Sequence, residues 1–204
     1  MRFLVDLHVH GPGSPCSSLT PEAIAAGARA RGLDAVAVVD HDALPGEALL
    51  ARLADLGLPA FGGAEVTTAH GDLLVFGVSR VPPPGLPGPE VVRRVWAEGG
   101  FAAVAHPFRR GRAAAPELLA VPGLPLEVPN GRAGRPANAR AAVFARRHGR
   151  GRVAGSDAHR LAEVGRHATA LPYLPSSSRD LARVLHALTF PEAAVQPAHA
   201  GALY

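Results

Sequence analysis

Apolar runs of strand length recur along this chain and alternate with amphipathic segments of helix length. The strand candidates are Phe3–Val9, Ala35–Val39, Pro59–Val66, Leu73–Val78, Phe101–Ala105, Leu124–Val128 and Arg152–Ala154. Several are nearly continuous in Val, Ala and Leu, the pattern of strands covered on both faces. The segments between them read as helices. "LTPEAIAAGARARGL" offers Thr20 as N-cap, Pro21 in the first turn and Gly32 as the stop. "GEALLARLADLG" ends at Gly57, and "GPEVVRRVWAEGG" sets Val91, Val92, Val95 and Trp96 on one helical face. "NARAAVFARRHG" and "SSSRDLARVLHALTF" complete the set, the latter capped by Ser177 or Ser178. Such alternation with short loops predicts a parallel α/β architecture. The Pro/Gly stretch at 81–89 reads as a loop, because strands resume after it, so residues 1–204 are read as one domain. The tail from Pro191 onward reads as irregular.

The residues at the strand ends change the picture. The first strand ends in "DLHVH", and side chains two apart on a strand share a face, so His8 and His10 point the same way. The second ends in "DHD" (40–42), the third carries Glu65, the fifth runs into His106, the sixth carries Glu127, and the seventh runs into Asp157 and His159. The fourth, "DLLVFGV", offers nothing at its end. In a parallel barrel the strand C-termini meet at one face, and active sites are built there. Histidines and carboxylates converging on that face form a donor set for zinc or manganese. The set exceeds what one ion needs, which argues for at least two, with Glu65 as a bridge. Each motif alone has an ordinary alternative: histidines on an exposed strand, Asp as turn chemistry, or "SDAH" as a helix cap. Together, six strand ends would need six separate explanations. His148, His167, His186 and His199 read as surface or packing residues, and His70 lies in a turn before the empty strand.

Composition narrows the chemistry. The 204 residues are 48% hydrophobic with a net charge of +4, enough for a sizeable core. Every basic residue other than histidine is arginine, so a Walker lysine and a Schiff-base lysine are excluded. The single cysteine, Cys16, allows no intrachain disulfide and points to a reduced, cytoplasmic setting. The start shows no leader pattern, and no apolar run is long enough to span a membrane.

The order of "DLHVH" (6–10), "VVDHD" (38–42), "GGAEVT" (62–67), "AHPF" (105–108), "LEVPNG" (126–131) and "GSDAH" (155–159) resembles the PHP family, named for polymerase and histidinol phosphatase. The resemblance implies a distorted TIM-like barrel of seven strands and helices. It also implies a cluster of two or three divalent cations, zinc, manganese or iron, that hydrolyses phosphate esters. The family pattern gives one cation to His8, His10, Glu65 and Asp157. Glu65 bridges to a second, also held by His106, and a third sits with His41 and His159. Asp6 and Asp40 look like groups that orient the ligand histidines. The sequence departs from the pattern twice. Where many members have Asp or His after the HxH motif, this chain reads "GPGSPCSSL", with Cys16 as a candidate thiolate ligand. Where relatives carry a histidine on the fourth strand, it has Leu74, so the second cation is one ligand short unless His70 reaches it. With little room for an inserted subdomain, the site is expected to be open.

The chemistry expected is metal-assisted hydrolysis. Asp157 or His159 would protonate the leaving group, and Arg109 would clamp the phosphate, with Arg132 and Arg160 as second choices. The substrate expected is a small phosphomonoester or nucleotide. An exonuclease acting on RNA or DNA ends and a non-catalytic PHP-like scaffold are the alternatives. An amidohydrolase shares the barrel and ligand types, but the motif order fits it less well. No membrane partner is expected.

Overall fold

A computed structural model describes residues 2–190; His199 and the tail read as irregular lie outside the described residues. The elements run β1 (Phe3–Val9), α1 (Pro21–Ala30), β2 (Ala35–His41), α2 (Glu47–Asp55), β3 (Ala60–Thr68), β4 (Gly71–Phe76), α3 (Gly88–Ala97), β5 (Phe101–Val104), α4 (Pro116–Leu119), β6 (Leu126–Asn130), α5 (Gly134–Arg147), β7 (Arg152–Gly155), β8 (Thr169–Leu171) and α6 (Ser178–Thr189). A short 3-10 turn, Leu161–Glu163, lies between β7 and β8. The strands form one sheet in the order β7-β6-β5-β4-β3-β2-β1-β8.

The sheet curls until its ends nearly meet. The backbone NH of His10 donates to Ala158 O at 2.9 Å, and that of Ala158 to His8 O at 3.1 Å. The chain just beyond β7 thus lies along the end of β1. The opposite end of β1 pairs antiparallel with β8, Phe3 to Leu171 and Val5 to Thr169. The result is a distorted α/β barrel with eight strands where the sequence pattern predicts seven.

Two strands, β8 and β4, depart from a fully parallel barrel. β4 runs antiparallel to both β3 and β5. The hairpin turn is short: Thr68 Oγ1 donates to Gly71 O at 2.6 Å, and Gly71 adopts φ +121°. A turn of this length can join only antiparallel neighbours, since a parallel crossover needs a dozen residues or more. The start of β4, rather than its end, therefore lies at the barrel mouth.

Three apolar clusters hold the barrel. Val5, Leu7, Ala37, Val39, Phe61, Leu74, Phe76, Phe101 and Val153 come together from six strands and meet Leu181 and Leu185 of α6. Val91, Val92 and Val95 of α3 and Ala141 and Ala145 of α5 cover the outer faces of β3 to β6. Ile24, Ala25 and Ala28 of α1 and Leu53 of α2 cover β1 and β2. The capping residues act as the sequence predicts: Thr20 accepts from Ala23 N at 3.2 Å, and Ser177 from Asp180 N at 3.1 Å. No helix among the described residues is long and apolar enough to cross a membrane.

Candidate metal centre

The barrel mouth gathers side chains from β1, β2, β3, β4 and the loops after β5 and β7. Their tightest group is His8, His10, Glu65 and Asp157. His8 Nε2 lies 3.1 Å from His10 Nε2, and His10 Nε2 lies 3.3 Å from Glu65 Oε2 and 3.5 Å from Asp157 Oδ1. His8 Nε2 lies 3.7 Å from each of the same two oxygens. Donor atoms sharing one cation through bonds of roughly 2.0–2.1 Å stand about 3.0–3.4 Å apart. His8, His10 and Glu65 come close to that spacing, with Asp157 Oδ1 beside the two imidazoles, and all four residues are at most 2% exposed.

Hydrogen positions make the fit stronger. Asp40 accepts the Ser14 hydroxyl proton at 2.6 Å, so Ser14 Oγ, 3.1 Å from His10 Nδ1, accepts the proton that His10 Nδ1 donates. His8 Nδ1 donates to the Glu127 carboxylate at 2.9 Å. Both imidazoles thus carry a proton on Nδ1 and turn Nε2 toward the other's. Two lone pairs facing each other at 3.1 Å repel unless a proton or a cation lies between them.

Two further groups share members with the first. Glu65, Asp72 and His106 place one donor atom each within 4.8 Å of one another, and so do His10, His41 and His159. His106 Nε2 lies 2.8 Å from Glu65 Oε1, and His41 Nδ1 lies 3.1 Å from Glu65 Oε2. His159 Nδ1 donates to its neighbour's carbonyl, Asp157 O, at 2.9 Å, which leaves its Nε2 lone pair free. Glu65 thus uses both oxygens and stands between three histidine-bearing elements.

Without a cation, the same carboxylates hold protons on the histidine nitrogens that face them, protons that a bound cation would displace. Burial opposes ionisation of Glu65, but the charge on His8 and hydrogen bonds from His10, His106 and His41 hold its carboxyl well below the usual range. Burial likewise opposes the charge of His8, yet Glu127, Asp157 and Glu65 raise its pKa well above the ordinary value. Burial and then the charge on His10 push His159 down to about 4, which keeps it neutral and able to donate a lone pair. Negative charge is concentrated where a cation would be received.

Backbone strain marks the same mouth. Among the described residues, the non-glycine residues at positive φ are Asp42 (55°), His106 (32°) and Asp157 (55°). Conformations of this kind cost on the order of 1–3 kcal/mol each and persist where surrounding structure imposes them. Here hydrogen bonds impose them: Asp42 Oδ1 accepts from Thr67 N at 2.7 Å, and Glu127 Oε2 accepts from His106 N at 2.9 Å. Asp6 accepts from Ser156 N at 2.8 Å and from Gly165 N at 2.9 Å, which fixes the loop that carries Asp157. Its role is to hold that loop, not a histidine ring.

Of the residues expected from sequence, His8, His10, His41, Glu65, His106, Asp157 and His159 are brought together. Cys16 is not: it is exposed and stands outside all three groups. The loop sends Ser14 inward instead, 1% exposed, to hold His10. His70 is also elsewhere, its Nδ1 accepting from Gly88 N at 3.2 Å. Arg109 reaches the site and donates to Asp157 Oδ2 at 2.8 Å. Arg132 approaches the same carboxylate at 4.0 Å, whereas Arg160 is exposed before the 3-10 turn. Three contributors escape the sequence reading: Asp72 at the start of β4, Ser14, and Glu127 as the partner of His8. Replacing Ser14 by Ala should lower divalent-cation affinity about 10- to 100-fold, the usual consequence of losing a ligand's supporting hydrogen bond. Competition with a chromogenic chelator measures this directly. An unchanged affinity would show that Asp40 does not act through Ser14.

Known proteins share this architecture. Residues 135–190, from α5 through "GSDAH" to α6, match the PHP-associated family model. An uncharacterised protein of Methanocaldococcus jannaschii is 28% identical over 114 residues, covering 50% of this chain and 67% of that protein. A candidate metal-dependent phosphoesterase of Bifidobacterium adolescentis superimposes with TM-score 0.68 at 19% identity, covering 89% of this chain and 95% of that one. The lesion-specific endonuclease EndoQ of Pyrococcus furiosus superimposes with TM-score 0.66 at 17% identity, covering 92% of this chain but 56% of that one. The ordered motifs thus converge at the mouth of a barrel whose C-terminal segment, residues 135–190, matches the PHP-associated model and whose fold is that of these solved structures.

Proposed function

We propose that this chain is a metal-dependent phosphoesterase that hydrolyses a small phosphomonoester or nucleotide. The observation that carries the reading is the meeting of His8, His10 and Glu65 close to ligand spacing, with Asp157 beside the two imidazoles and both rings anchored through Nδ1 so that Nε2 faces the shared point. Further cations would use Glu65 with His106, and His41 with His159. When bound, divalent cations such as zinc, manganese or iron lower the pKa of water and neutralise phosphoryl charge. The protein's own groups do the rest. Arg109 presents a guanidinium to the mouth and is placed to hold a phosphoryl oxygen. Arg132 stands next to it. His159 is neutral, and its Nε2 lone pair is free to hold a cation or to take up a proton from water. It sits at the rim, 7% exposed, and its own Nδ1 proton is anchored on Asp157 O.

One observation gives the diester alternative a footing. A groove of about 450 Å³ is lined by Phe108, which precedes Arg109 in the chain, and by Arg140, Phe144, Arg147 and His148. Phe108 and Phe144 meet edge to face at 5.6 Å, and the Arg140 guanidinium lies 4.9 Å from the Phe108 ring centre. Aromatic and cationic surfaces of this kind suit a stacked base. The scaffold alternative rested on the missing histidine at Leu74, and a carboxylate, Asp72, stands in that corner. A single domain in a reduced, cytoplasmic setting belongs to the same reading.

Metal analysis of the purified protein, beside a panel of phosphomonoesters, nucleotides and short oligonucleotides, tests the proposal. Bound divalent metal and chelator-sensitive turnover of a monoester are expected. Turnover that grows with oligonucleotide length and falls steeply with salt would favour the diester reading. If His8→Ala and His10→Ala together left metal content and turnover unchanged, the assignment would be wrong.

A further inference from the structure

β4 carries Leu74 inside the barrel, where it packs in the interior cluster. Asp72 lies two residues earlier on the same strand and so on the same face. Because β4 runs antiparallel to its neighbours, that step leads toward the mouth. Asp72 is 4% exposed, and its Oδ2 lies 3.9 Å from His106 Nε2. Its backbone is fixed, since Asp72 O accepts from Ala105 N at 3.0 Å, one residue before His106. Arg112 holds the carboxylate from the loop after β5: Nε donates to Oδ2 at 2.9 Å and Nη2 to Oδ1 at 3.1 Å. The Arg112 side chain is 43% exposed.

We propose that Asp72 supplies a ligand to the cation held by Glu65 and His106, and that Arg112 competes with this cation for the Asp72 carboxylate. The proposal rests on the metal-dependent reading and deepens it. A carboxylate oxygen in place of an imidazole nitrogen makes this corner harder, favouring manganese over zinc relative to a histidine-rich corner. Arg112 supplies a positive charge that a bound cation would displace from the same two oxygens. Loading of this corner is then an exchange of one cation for another, and it is weaker than loading of the corner formed by His8, His10, Glu65 and Asp157.

Titrating chelator-stripped full-length protein with Mn2+ alone, by calorimetry and by counting free Mn2+ with electron paramagnetic resonance, tests this. The wild type is expected to bind in at least two classes. Asp72→Asn should weaken the weaker class about 10- to 100-fold and leave the tighter one in place. Arg112→Met keeps the aliphatic stem and removes the competitor. It should tighten the same class about two- to fivefold, the weight of a partly exposed ion pair. Arg112 as a purely structural partner would instead leave that class unchanged or weaken it, and either result overturns the competition. If Asp72→Asn fails to fold, the Arg112→Met result alone decides. Wild-type binding by Asp72→Asn would overturn this inference while leaving the metal centre intact. A wild type that binds no Mn2+, Zn2+ or Fe2+ would overturn both, so the two failures are distinguishable.

Discussion

Glu65→Gln should abolish measurable phosphoesterase turnover, by at least roughly 10³-fold in kcat, while the barrel still folds. Removing a single electrostatic stabiliser of a developing charge already costs on the order of 10²–10³-fold. Glu65 does more than that, because its two oxygens face four histidines. Oε1 lies 2.8 Å from His106, and Oε2 lies 3.1 Å from His41, 3.3 Å from His10 and 3.7 Å from His8. Glutamine has the same shape, so packing around this residue survives. Its amide is neutral and can offer only one oxygen, so every shared cation position loses charge and one bridge is broken. A thermal comparison separates this from unfolding. A ligand at 100 times its Kd stabilises the native state by about 2.7 kcal/mol. The wild-type melting temperature should therefore fall on adding chelator, and that of Glu65→Gln should not respond. A variant with wild-type metal content and chelator response would remove Glu65 from the centre.

Much of the site was legible before any coordinates, for a definite reason. Buried strands of a parallel barrel read as apolar runs, so a polar residue at the end of such a run stands out, and His8, His10, His41, Glu65, His106, Asp157 and His159 all do. The rule failed where its premise failed. It assumes that strand ends face the site, and β4 points the other way, so Asp72 at its start went unseen while the apolar Leu74 drew attention. A signal was present: only six residues separate Val66 from Leu73, too few for a parallel crossover. Ser14 and Cys16 lie two apart in one irregular loop, and no periodicity says which of them turns inward. Chemical affinity favoured the thiol, whereas the structure buries the hydroxyl, which Asp40 can accept from and His10 can donate to. Glu127 could be read as a strand-end carboxylate. That it holds His8 Nδ1 depends on β6 and β1 facing each other across the barrel, which no local pattern encodes. β8 and α4 were missed because elements of three and four residues are too short to show a period.

The same close approach of β1, β6 and β7 makes Gly155 a residue at which a single methyl group should damage both the barrel and the site. Gly155 ends β7, and its carbonyl accepts from Gly131 N at 3.0 Å, so its backbone cannot move freely. A Cβ there would lie 2.4 Å from His8 Cβ, 2.9 Å from His8 N and 2.9 Å from Glu127 Oε1. Two of these contacts involve main-chain or Cβ atoms of a central strand, so no rotamer change relieves them. β1 must move away from β7, or Glu127 must leave His8. Either movement breaks the 2.9 Å bond that fixes the His8 tautomer and turns its lone pair off the shared point. Gly155→Ala should therefore lose stability and metal together. The overpacking cost is about 1–3 kcal/mol or somewhat more, read as a lower denaturant midpoint at unchanged slope. Cation affinity should fall at least as far as in Ser14→Ala, because Gly155→Ala disturbs a ligand's position as well as its hydrogen bond. An alanine variant with wild-type midpoint and wild-type affinity would mean that β1 and β7 can separate without cost. His8 would then not be held by the barrel closure that the His10–Ala158 and Ala158–His8 backbone bonds describe.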